Sequence, residues 1–273
     1  RTEEIRHQNT ELAAQKKEIT DSIYYAERIQ RAILPQTENI GQQVEGYFIL
    51  FKPKDIVSGD FYWLAENGNK IIVTAADCTG HGVPGAFMSM LGISFLNKII
   101  LENNIIQADL ILNELRNNVI SALKQTGKEG EARDGMDMSL VVIDLQNMTL
   151  EFAGANNPLY MIREDELSET KADRMPIAYY LETGNFSNHK IQLKKGDIFY
   201  MFSDGYADQF GGPRGKKFMY RPFKNLLLEN RDKSMKEINQ ILENHIESWK
   251  APEGPDGEVY EQVDDILVIG VKI

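Results

Sequence analysis

The chain has a single cysteine, Cys78, and only four histidines in 273 residues. One cysteine excludes an intramolecular disulfide and any zinc site built from several cysteines, and it favours a reducing compartment. The histidines are scattered without the spacing of a metal site: His7, His81, His189 and His245. We therefore expect a cytoplasmic protein, or the cytoplasmic part of a larger sensor, whose chemistry relies on other side chains.

Basic residues are also in short supply. Asp and Glu outnumber Lys and Arg 41 to 30, which gives a net charge of −11 and argues against nucleic acid as the main partner. No apolar run reaches the roughly 20 residues of a membrane span, so we expect no membrane segment in this stretch. The chain opens at Arg1 in a helical pattern without a methionine, and we expect it to be part of a longer protein.

Glycine and proline are absent from residues 1–34, and Pro35 ends the run, which predicts one long helix. The helix carries an apolar seam, but the positions that would flank this seam in a coiled coil, Gln8, Gln15 and Ser22, are polar. The helix therefore either pairs two chains weakly as a coiled coil or docks on its own domain. We divide the chain into a linker helix, 1–35, and a second domain, 36–273. The apolar seam of the helix has a period of seven: Ile5, Leu12, Ile19, Ala26 and Ile33.

After Pro35 the pattern changes to short apolar and aromatic segments that are typical of strands. Helices are predicted at about 84–102, 108–124, 221–229 and 234–248. Residues 164–188 are predicted to be irregular, and Lys195-Gly196 is predicted to join two strands in a hairpin. Strands in hairpins, with helices segregated between them, predict an α+β fold with mostly antiparallel sheets. The predicted strands are 46–51, 59–64, 70–76, 139–144, 150–155, 159–163, 190–193, 197–202 and 266–271.

Four aspartates stand where an apolar strand begins or ends: Asp60, Asp77, Asp204 and Asp264. A single aspartate at a strand end usually caps a turn. Four in this arrangement instead predict a metal site. Because carboxylates without His or Cys favour hard cations, magnesium or manganese is expected.

The segments around these aspartates resemble the SpoIIE/RsbU branch of the PPM metal-dependent phosphatases, the bacterial relatives of protein phosphatase 2C. The resemblance spans about residues 22–273. It implies an αββα sandwich of two antiparallel sheets flanked by helices, preceded by a long N-terminal helix. The motifs that carry it are 26–35 (AERIQRAILP), 58–63 (SGDFYW), 77–86 (DCTGHGVPGA), 202–205 (FSDG) and 264–266 (DDI).

The resemblance also implies roles for the site residues. Asp77 would bridge two divalent cations with the Cys78 carbonyl as a backbone ligand. Asp60 would complete the shell of the second ion, and Asp204 and Asp264 would hold the first. The expected activity is hydrolysis of a phosphoserine or phosphothreonine by a metal-activated water. The expected partner is a phosphorylated regulator of the anti-sigma-factor-antagonist kind.

Two positions depart from the pattern of the family. A phosphate-holding arginine is expected ahead of the first metal aspartate, but the nearest basic residues are Lys52 and Lys54, which become the candidate substrate-binding residues. Asp137 precedes a core strand where an apolar residue is expected. It is either an additional carboxylate around the metals or a polar residue at a loop-to-strand junction.

Two other functions compete with a phosphatase. The glycines Gly80, Gly82 and Gly85 match the dinucleotide-binding fingerprint between a strand and a helix, which would suit an NAD-linked oxidoreductase. The third hypothesis is a catalytically silent module in which the coiled coil is the functional part. For a phosphatase, we expect the N-terminal helix to form a homodimer and to transmit an upstream signal to the helix that begins at Pro84.

Overall fold

The computed structural model describes residues 2–35, 43–128, 131, 133–181, 184–251 and 259–273. The predicted boundary between 35 and 36 adjoins residues 36–42, which lie outside the described ranges. A π-helical turn, Asn97–Glu102, extends the second helix. The α-helices are α1 (Thr2–Ile33), α2 (Gly82–Leu96), α3 (Ala108–Ala122), α4 (Gly205–Asp208), α5 (Tyr220–Glu229) and α6 (Met235–Lys250).

The strands form two five-stranded sheets and one short ribbon. The first sheet has the order β1-β12-β9-β6-β7, the second has the order β2-β3-β4-β5-β8, and β10 pairs with β11. Every one of these strand pairs is antiparallel. The strands are β1 (Gly46–Lys52), β2 (Phe61–Asn67), β3 (Lys70–Cys78), β4 (Met136–Asp144), β5 (Thr149–Ala155), β6 (Leu159–Arg163), β7 (Glu166–Thr170), β8 (His189–Gln192), β9 (Ile198–Phe202), β10 (Phe210–Gly211), β11 (Lys216–Lys217) and β12 (Ile266–Lys272).

The two large sheets pack face to face between two layers of helices. One apolar cluster fills the space between the sheets, a second joins the β2–β8 sheet to α2 and α3, and a third joins the other sheet to α5 and α6. The residues of β3 show how the sequence specifies this. Ile71 and Val73 face the other sheet, whereas Ile72 faces the helices, because successive side chains point to opposite faces of a strand. The expected αββα sandwich is confirmed.

Among the described residues, helix α1 packs against the sandwich through its C-terminal end. Ile33 and Leu34 pack against the core beside α2, and Gln30 is buried. The seam residues nearer the N-terminus of α1 are solvent-exposed: Ile5 has 53%, Leu12 64% and Ile19 62% of its full exposure. The seam therefore docks on the chain's own domain at Ile33 and leaves Ile5, Leu12 and Ile19 exposed among the described residues, and pairing of this exposed part with a second chain stays a prediction.

The helical segment Gly82–Glu102 bears on the expectation that this stretch has no membrane segment. It has 21 residues, and an 18-residue window within it has a mean hydropathy of 1.4, so the segment is long and apolar enough to cross a membrane by length and composition alone. Half of that window is buried inside the domain, and Ile93, Leu96 and Ile99 contribute to the core between the sheet and the helices. A core helix passes the same test, so the segment is weak evidence for a span.

Two local predictions were wrong, and one element was missed. Strands β8 and β9 do not form a hairpin around Lys195-Gly196: β8 pairs with β5 in one sheet, and β9 pairs with β6 and β12 in the other. The segment between them therefore crosses from sheet to sheet. Residues 166–170, predicted to be irregular, form the edge strand β7. The ribbon of β10 and β11 was not predicted.

Candidate metal and active site

The four predicted metal aspartates come from both sheets. Asp60 directly precedes β2, and Asp77 is the penultimate residue of β3, whose Ala76 pairs with Phe61. Asp204 follows β9 and Asp264 precedes β12, two strands that pair through Phe202 and Val268. Because neighbouring strands are antiparallel, the end of one lies beside the start of the next, and each pair of aspartates meets at one end of its sheet.

The electrostatics of Asp77 show that the two pairs face each other. Burial raises the pKa of Asp77 to about 8, and the charges of Asp204, Asp264 and Asp137 add to this effect. The backbone N–H of Asp204 donates to the Asp77 carboxylate and opposes the rise. Burial and the charge of Asp264 likewise raise the pKa of Asp204 to about 6. Residues 77, 204 and 264 therefore form one cluster of carboxylates across the two sheets.

Asp60 is the most deeply buried member of the group. Its pKa is raised well above the ordinary value, first by burial and then by the charge of Asp77, while a hydrogen bond from Ser203 opposes the rise. The carboxylate oxygen Oδ2 of Asp60 is buried without a hydrogen-bond partner in the part of the chain that the structure describes. A buried carboxylate is costly unless a cation or a donor compensates it.

These observations fit divalent cations. The described residues contain no group of three His, Cys, Asp or Glu side chains that is already arranged to hold an ion. Uncompensated carboxylates repel one another, and a cation would draw them together. The orphaned oxygen of Asp60 and the raised pKa values of Asp77 and Asp204 indicate buried negative charge that lacks a positive partner. Oxygen ligands of this kind suit magnesium or manganese.

Cys78 lies at the end of β3 with its side chain buried. Burial and the surrounding aspartates raise the pKa of its thiol well above the ordinary range, so the thiol stays protonated and is a poor nucleophile. Its backbone carbonyl lies near Gly59: a Cβ at Gly59 would be 3.4 Å from it. The carbonyl is therefore close to the segment that carries Asp60.

The glycines of the apparent dinucleotide fingerprint have a packing role. A Cβ at Gly85 would lie 2.3 Å from the Gly80 carbonyl oxygen and 2.7 Å from the Cα of Gly59. Strand β3 pairs antiparallel with both β2 and β4, whereas a dinucleotide-binding unit needs a parallel strand after the helix. The glycines let α2 approach the backbone that carries Asp60 and Asp77, and the oxidoreductase hypothesis is wrong.

Asp265 is a buried carboxylate whose role the sequence analysis did not identify. One of its oxygens accepts hydrogen bonds from the backbone N–H of Lys54 at 2.7 Å. The other accepts from the N–H of Gly59 at 2.7 Å and, more weakly, of Asp60 at 3.5 Å. The adjacent Asp264 is half-buried and contributes its charge to the cluster. Asp264 therefore belongs to the cluster, and Asp265 fixes the segment that holds Asp60.

Asp137 lies opposite Asp77 in the pairing of β4 with β3. Its carboxylate accepts a hydrogen bond from the side-chain amide of Asn156 at 2.8 Å, and burial raises its pKa. Its charge raises the pKa of both Asp77 and Asp204. Asp137 is thus a further carboxylate beside the cluster, the first of the two readings of this position.

The two candidate phosphate-binding lysines differ in their surroundings. The Lys52 ammonium lies 3.2 Å from Glu243 and 3.1 Å from Glu247, both on α6. The Lys54 ammonium donates to Nε2 of His81 at 3.0 Å, and Nδ1 of His81 lies 2.6 Å from the Asp55 carboxylate. Because an ammonium only donates, this arrangement assigns the His81 proton to Nδ1. Lys54 is therefore held next to the turn that follows Asp77.

Gln30 links the N-terminal helix to this site. Its side-chain amide nitrogen donates to the Ser58 carbonyl at 2.6 Å and to the Ser89 hydroxyl of α2 at 2.8 Å, and its amide oxygen accepts from the Ser58 N–H at 3.1 Å. Ser58 is separated from Asp60 by one residue. A displacement of α1 would therefore act directly on the segment that carries Asp60, a candidate metal ligand.

Comparison with known proteins identifies the family of this fold. The family model for stage II sporulation protein E, SpoIIE, matches residues 67–273. The chain resembles the SiaA-PP2C domain of Pseudomonas aeruginosa with a TM-score of 0.83 and 32% identity, covering 96% of this chain and 99% of that one. A sequence comparison with curated proteins finds no match.

More distant structures show the same fold. The PP2C domain of SpoIIE from Bacillus subtilis, with a fragment of its regulatory domain, has a TM-score of 0.65 at 24% identity and covers 84% of this chain and 63% of that one. The RsbU and RsbW domains of a Mycobacterium tuberculosis protein have a TM-score of 0.64 at 16% identity, and the match covers 84% of this chain and 60% of that one. The sandwich with its carboxylate cluster defines a PP2C-type phosphatase domain. The chain belongs to the SpoIIE family.

Proposed function

We propose that the chain is a metal-dependent protein phosphatase that hydrolyses a phosphoserine or phosphothreonine on a signalling partner. The observation that carries this proposal is the cluster of Asp77, Asp204 and Asp264 across the two sheets, with the buried, orphaned carboxylate oxygen of Asp60 beside it. Membership of the SpoIIE family supports the reaction class. One of the more distant relatives of the same fold, RsbX, has a structure in complex with magnesium.

Each side chain has a role in this proposal. Asp60, Asp77, Asp204 and Asp264, with the Cys78 carbonyl, would hold two manganese or magnesium ions. When bound, such ions supply positive charge that activates water and stabilises the phosphoryl oxygens in the transition state. Asp265 keeps the segment of Asp60 in place through backbone hydrogen bonds. Lys54 lies beside His81 as a point charge for a substrate phosphate.

The substrate is proposed to be a phosphoprotein. Relatives of the fold include the RsbU and RsbW domains of the mycobacterial protein and a protein of the bacterial stressosome. By analogy, the substrate would be a phosphorylated regulator of the anti-sigma-factor-antagonist kind. The chain would act in the cytoplasm, alone or as part of a larger sensor.

Control is proposed to act through α1. The exposed seam of Ile5, Leu12 and Ile19 would pair two chains, and Gln30 would pass a change in this pairing to Ser58 and to α2. The polar companions of the seam would keep the pairing weak enough to adjust. A catalytically silent coiled-coil module is the remaining alternative.

The first experiment is hydrolysis of p-nitrophenyl phosphate with manganese, with magnesium and with a chelator. We expect metal-dependent turnover in the wild type and its loss, by about a hundredfold or more, in Asp77→Asn. Asp232→Asn is the matched control, since the Asp232 side chain is 85% exposed and lies outside the cluster. Turnover that survives in Asp77→Asn would refute the site, and a wild type inactive on both this ester and a phosphoprotein would favour the silent module.

A further inference from the structure

A cationic groove lies between the β10–β11 ribbon and the start of α5. Its cavity measures about 560 Å³, comparable to pockets that hold small ligands. The floor is apolar and includes Phe218, Pro222 and Trp249. Four exposed basic side chains line it: Arg214, Lys216, Lys217 and Arg221.

The charge of this segment contrasts with that of the chain. Residues 209–228 contain five basic side chains and no Asp or Glu, in a protein with a net charge of −11. The Lys217 ammonium pairs with Asp208 at 2.6 Å. For Arg214, Lys216 and Arg221 the structure records no ion pair with a described residue. A local positive field on an acidic protein attracts anionic partners to this part of its surface.

The groove adjoins the carboxylate cluster. Asp208, the partner of Lys217, closes the short helix α4, which begins directly after Asp204. The positive charge of Lys217 acts on Asp204 itself. At the other end of the groove segment, the Tyr220 hydroxyl lies in the field of Asp204 and Asp77. A polypeptide in the groove would therefore lead towards the site of phosphoryl chemistry.

The backbone at the groove is held in a conformation that side chains rarely adopt. Met219 has φ 75° and ψ 154°, a region occupied almost only by glycine, and its N–H donates to the Ala207 carbonyl at 2.6 Å. The buried Phe218 on one side and α5 on the other fix this turn. Such strain persists where the surroundings over-determine it, which is common at binding sites.

We propose that this groove binds the polypeptide around the phosphorylated residue of the substrate, and that the bound segment is acidic with an apolar side chain on the groove floor. The inference rests on the proposed function, because it places the substrate of that same site. Clustered cations over an aromatic floor give both charge complementarity and an anchor for one side chain. The groove would supply the selectivity that a phosphate and two cations alone cannot.

The test measures binding separately from turnover. The probe is a fluorescein-labelled peptide that carries a non-hydrolysable phosphonate analogue of phosphoserine, either with glutamate flanks or with glutamine flanks. With manganese present, the wild type should bind the glutamate peptide about tenfold more tightly, and added salt should weaken this preference. In Arg214→Glu/Lys216→Glu/Arg221→Glu the preference should disappear.

A matched triple variant controls for the change in net charge. Lys98→Glu/Lys195→Glu/Lys236→Glu alters exposed lysines outside the groove and should keep the preference. The proposal is overturned if the groove variant keeps the preference, or if both variants lose it equally. It is also overturned if an oligonucleotide binds the wild type as tightly as the glutamate peptide, since the groove would then be a general polyanion site.

Turnover of p-nitrophenyl phosphate distinguishes this inference from the proposed function. The groove variant should hydrolyse this small ester like the wild type, because its substituted residues are not part of the carboxylate cluster. A wild type that hydrolyses neither this ester nor a phosphoprotein would refute the phosphatase, while the peptide preference would still report on the groove.

Discussion

The Asp265 carboxylate accepts a hydrogen bond from the Gly59 N–H at 2.7 Å and so ties the start of β12 to the start of β2. The two residues are 206 positions apart in the sequence and lie just before strands of different sheets. Gly59 directly precedes Asp60, so this contact sets the position of a proposed metal ligand relative to Asp264. The two adjacent aspartates therefore affect the stability of the metal-free protein in opposite ways: Asp265 makes a stabilising contact, whereas Asp264 is one of several carboxylates that repel one another.

The first prediction contrasts the two. Asp265→Asn replaces one acceptor oxygen with a donor that faces a buried N–H, and we expect it to lower the free energy of unfolding by about 1–3 kcal/mol. Asp264→Asn removes one of several mutually repelling carboxylates from the metal-free protein. It should leave the stability unchanged or raised while abolishing metal-dependent turnover. Urea unfolding in the presence of a chelator measures the stability, and ester hydrolysis with manganese measures the turnover. Equal losses of stability in the two variants would contradict the assignment.

The second prediction concerns pH. The folded metal-free protein holds the pKa of Asp77 at about 8 and that of Asp204 at about 6, both above the ordinary value of 3.8. A raised folded pKa means that the folded state binds more protons, so the stability from these groups is present below pH 4 and is lost as the pH rises through 6 to 8. We therefore expect the melting temperature in chelator to fall between pH 5 and pH 8.

Saturating manganese should remove much of this fall, since a bound cation favours the ionised carboxylates. Asp77→Asn should flatten the profile in chelator, whereas Asp144→Asn, at the far end of β4, should not. Thermal melts across the pH range, with and without metal, would check this. A profile in chelator that is the same for Asp77→Asn and the wild type would contradict the origin of the effect.

The third prediction separates the two candidate lysines. Lys54 lies beside His81 at the turn after Asp77, whereas the Lys52 ammonium is paired with Glu243 and Glu247. Lys54→Met should raise the KM for a phosphate monoester by about tenfold, the loss of one charge-assisted contact. Lys52→Met should lower the stability by less than about 1 kcal/mol and change the KM little. The reverse pattern in steady-state kinetics would assign the phosphate to Lys52.

The candidate metal ligands can be predicted from sequence because they leave a local pattern. The aspartates at 60, 77, 204 and 264 each adjoin an apolar strand in a short motif. Asp265 lies in the same motif as Asp264, but its role depends on a loop 206 residues away. The Lys195-Gly196 turn suggested a hairpin, yet long-range pairing decided that β8 and β9 join different sheets. The basic residues of the groove form a site only after α5 and the ribbon have packed.

The fourth prediction concerns α1. Leu12→Asn/Ile19→Asn alters residues that are mostly exposed, so the unfolding of the sandwich should change by less than about 0.5 kcal/mol. If the seam pairs two chains, sedimentation velocity should show a dimer for the wild type and a monomer for the variant. A wild type that stays monomeric at high concentration would refute the homodimer.

Gln30 offers a separate test of the link to the site. Gln30→Ala leaves the buried Ser58 N–H without the Gln30 acceptor, while the Ser58 carbonyl retains the hydrogen bond from the Ser89 hydroxyl at 3.3 Å, and we expect a cost of about 1–3 kcal/mol. Because Ser58 lies next to Gly59 and Asp60, we expect a higher manganese concentration to be needed for half-maximal turnover. Gln8→Ala, on the exposed part of α1, is the control and should change neither quantity.

The fifth prediction uses the strained backbone at the groove. Met219 has φ 75°, which glycine adopts without the steric penalty of a Cβ. Relief of about 1–3 kcal/mol of strain should exceed the entropy cost of a glycine, about 0.5–1 kcal/mol, so Met219→Gly should raise the free energy of unfolding by about 0.5–2 kcal/mol. The Met219 side chain is 55% exposed, so little apolar burial is lost. Met219→Ala keeps the Cβ and the strain and should give no gain. If Met219→Gly is less stable than Met219→Ala in urea unfolding by the entropy cost of a glycine, about 0.5–1 kcal/mol, the turn stores no strain.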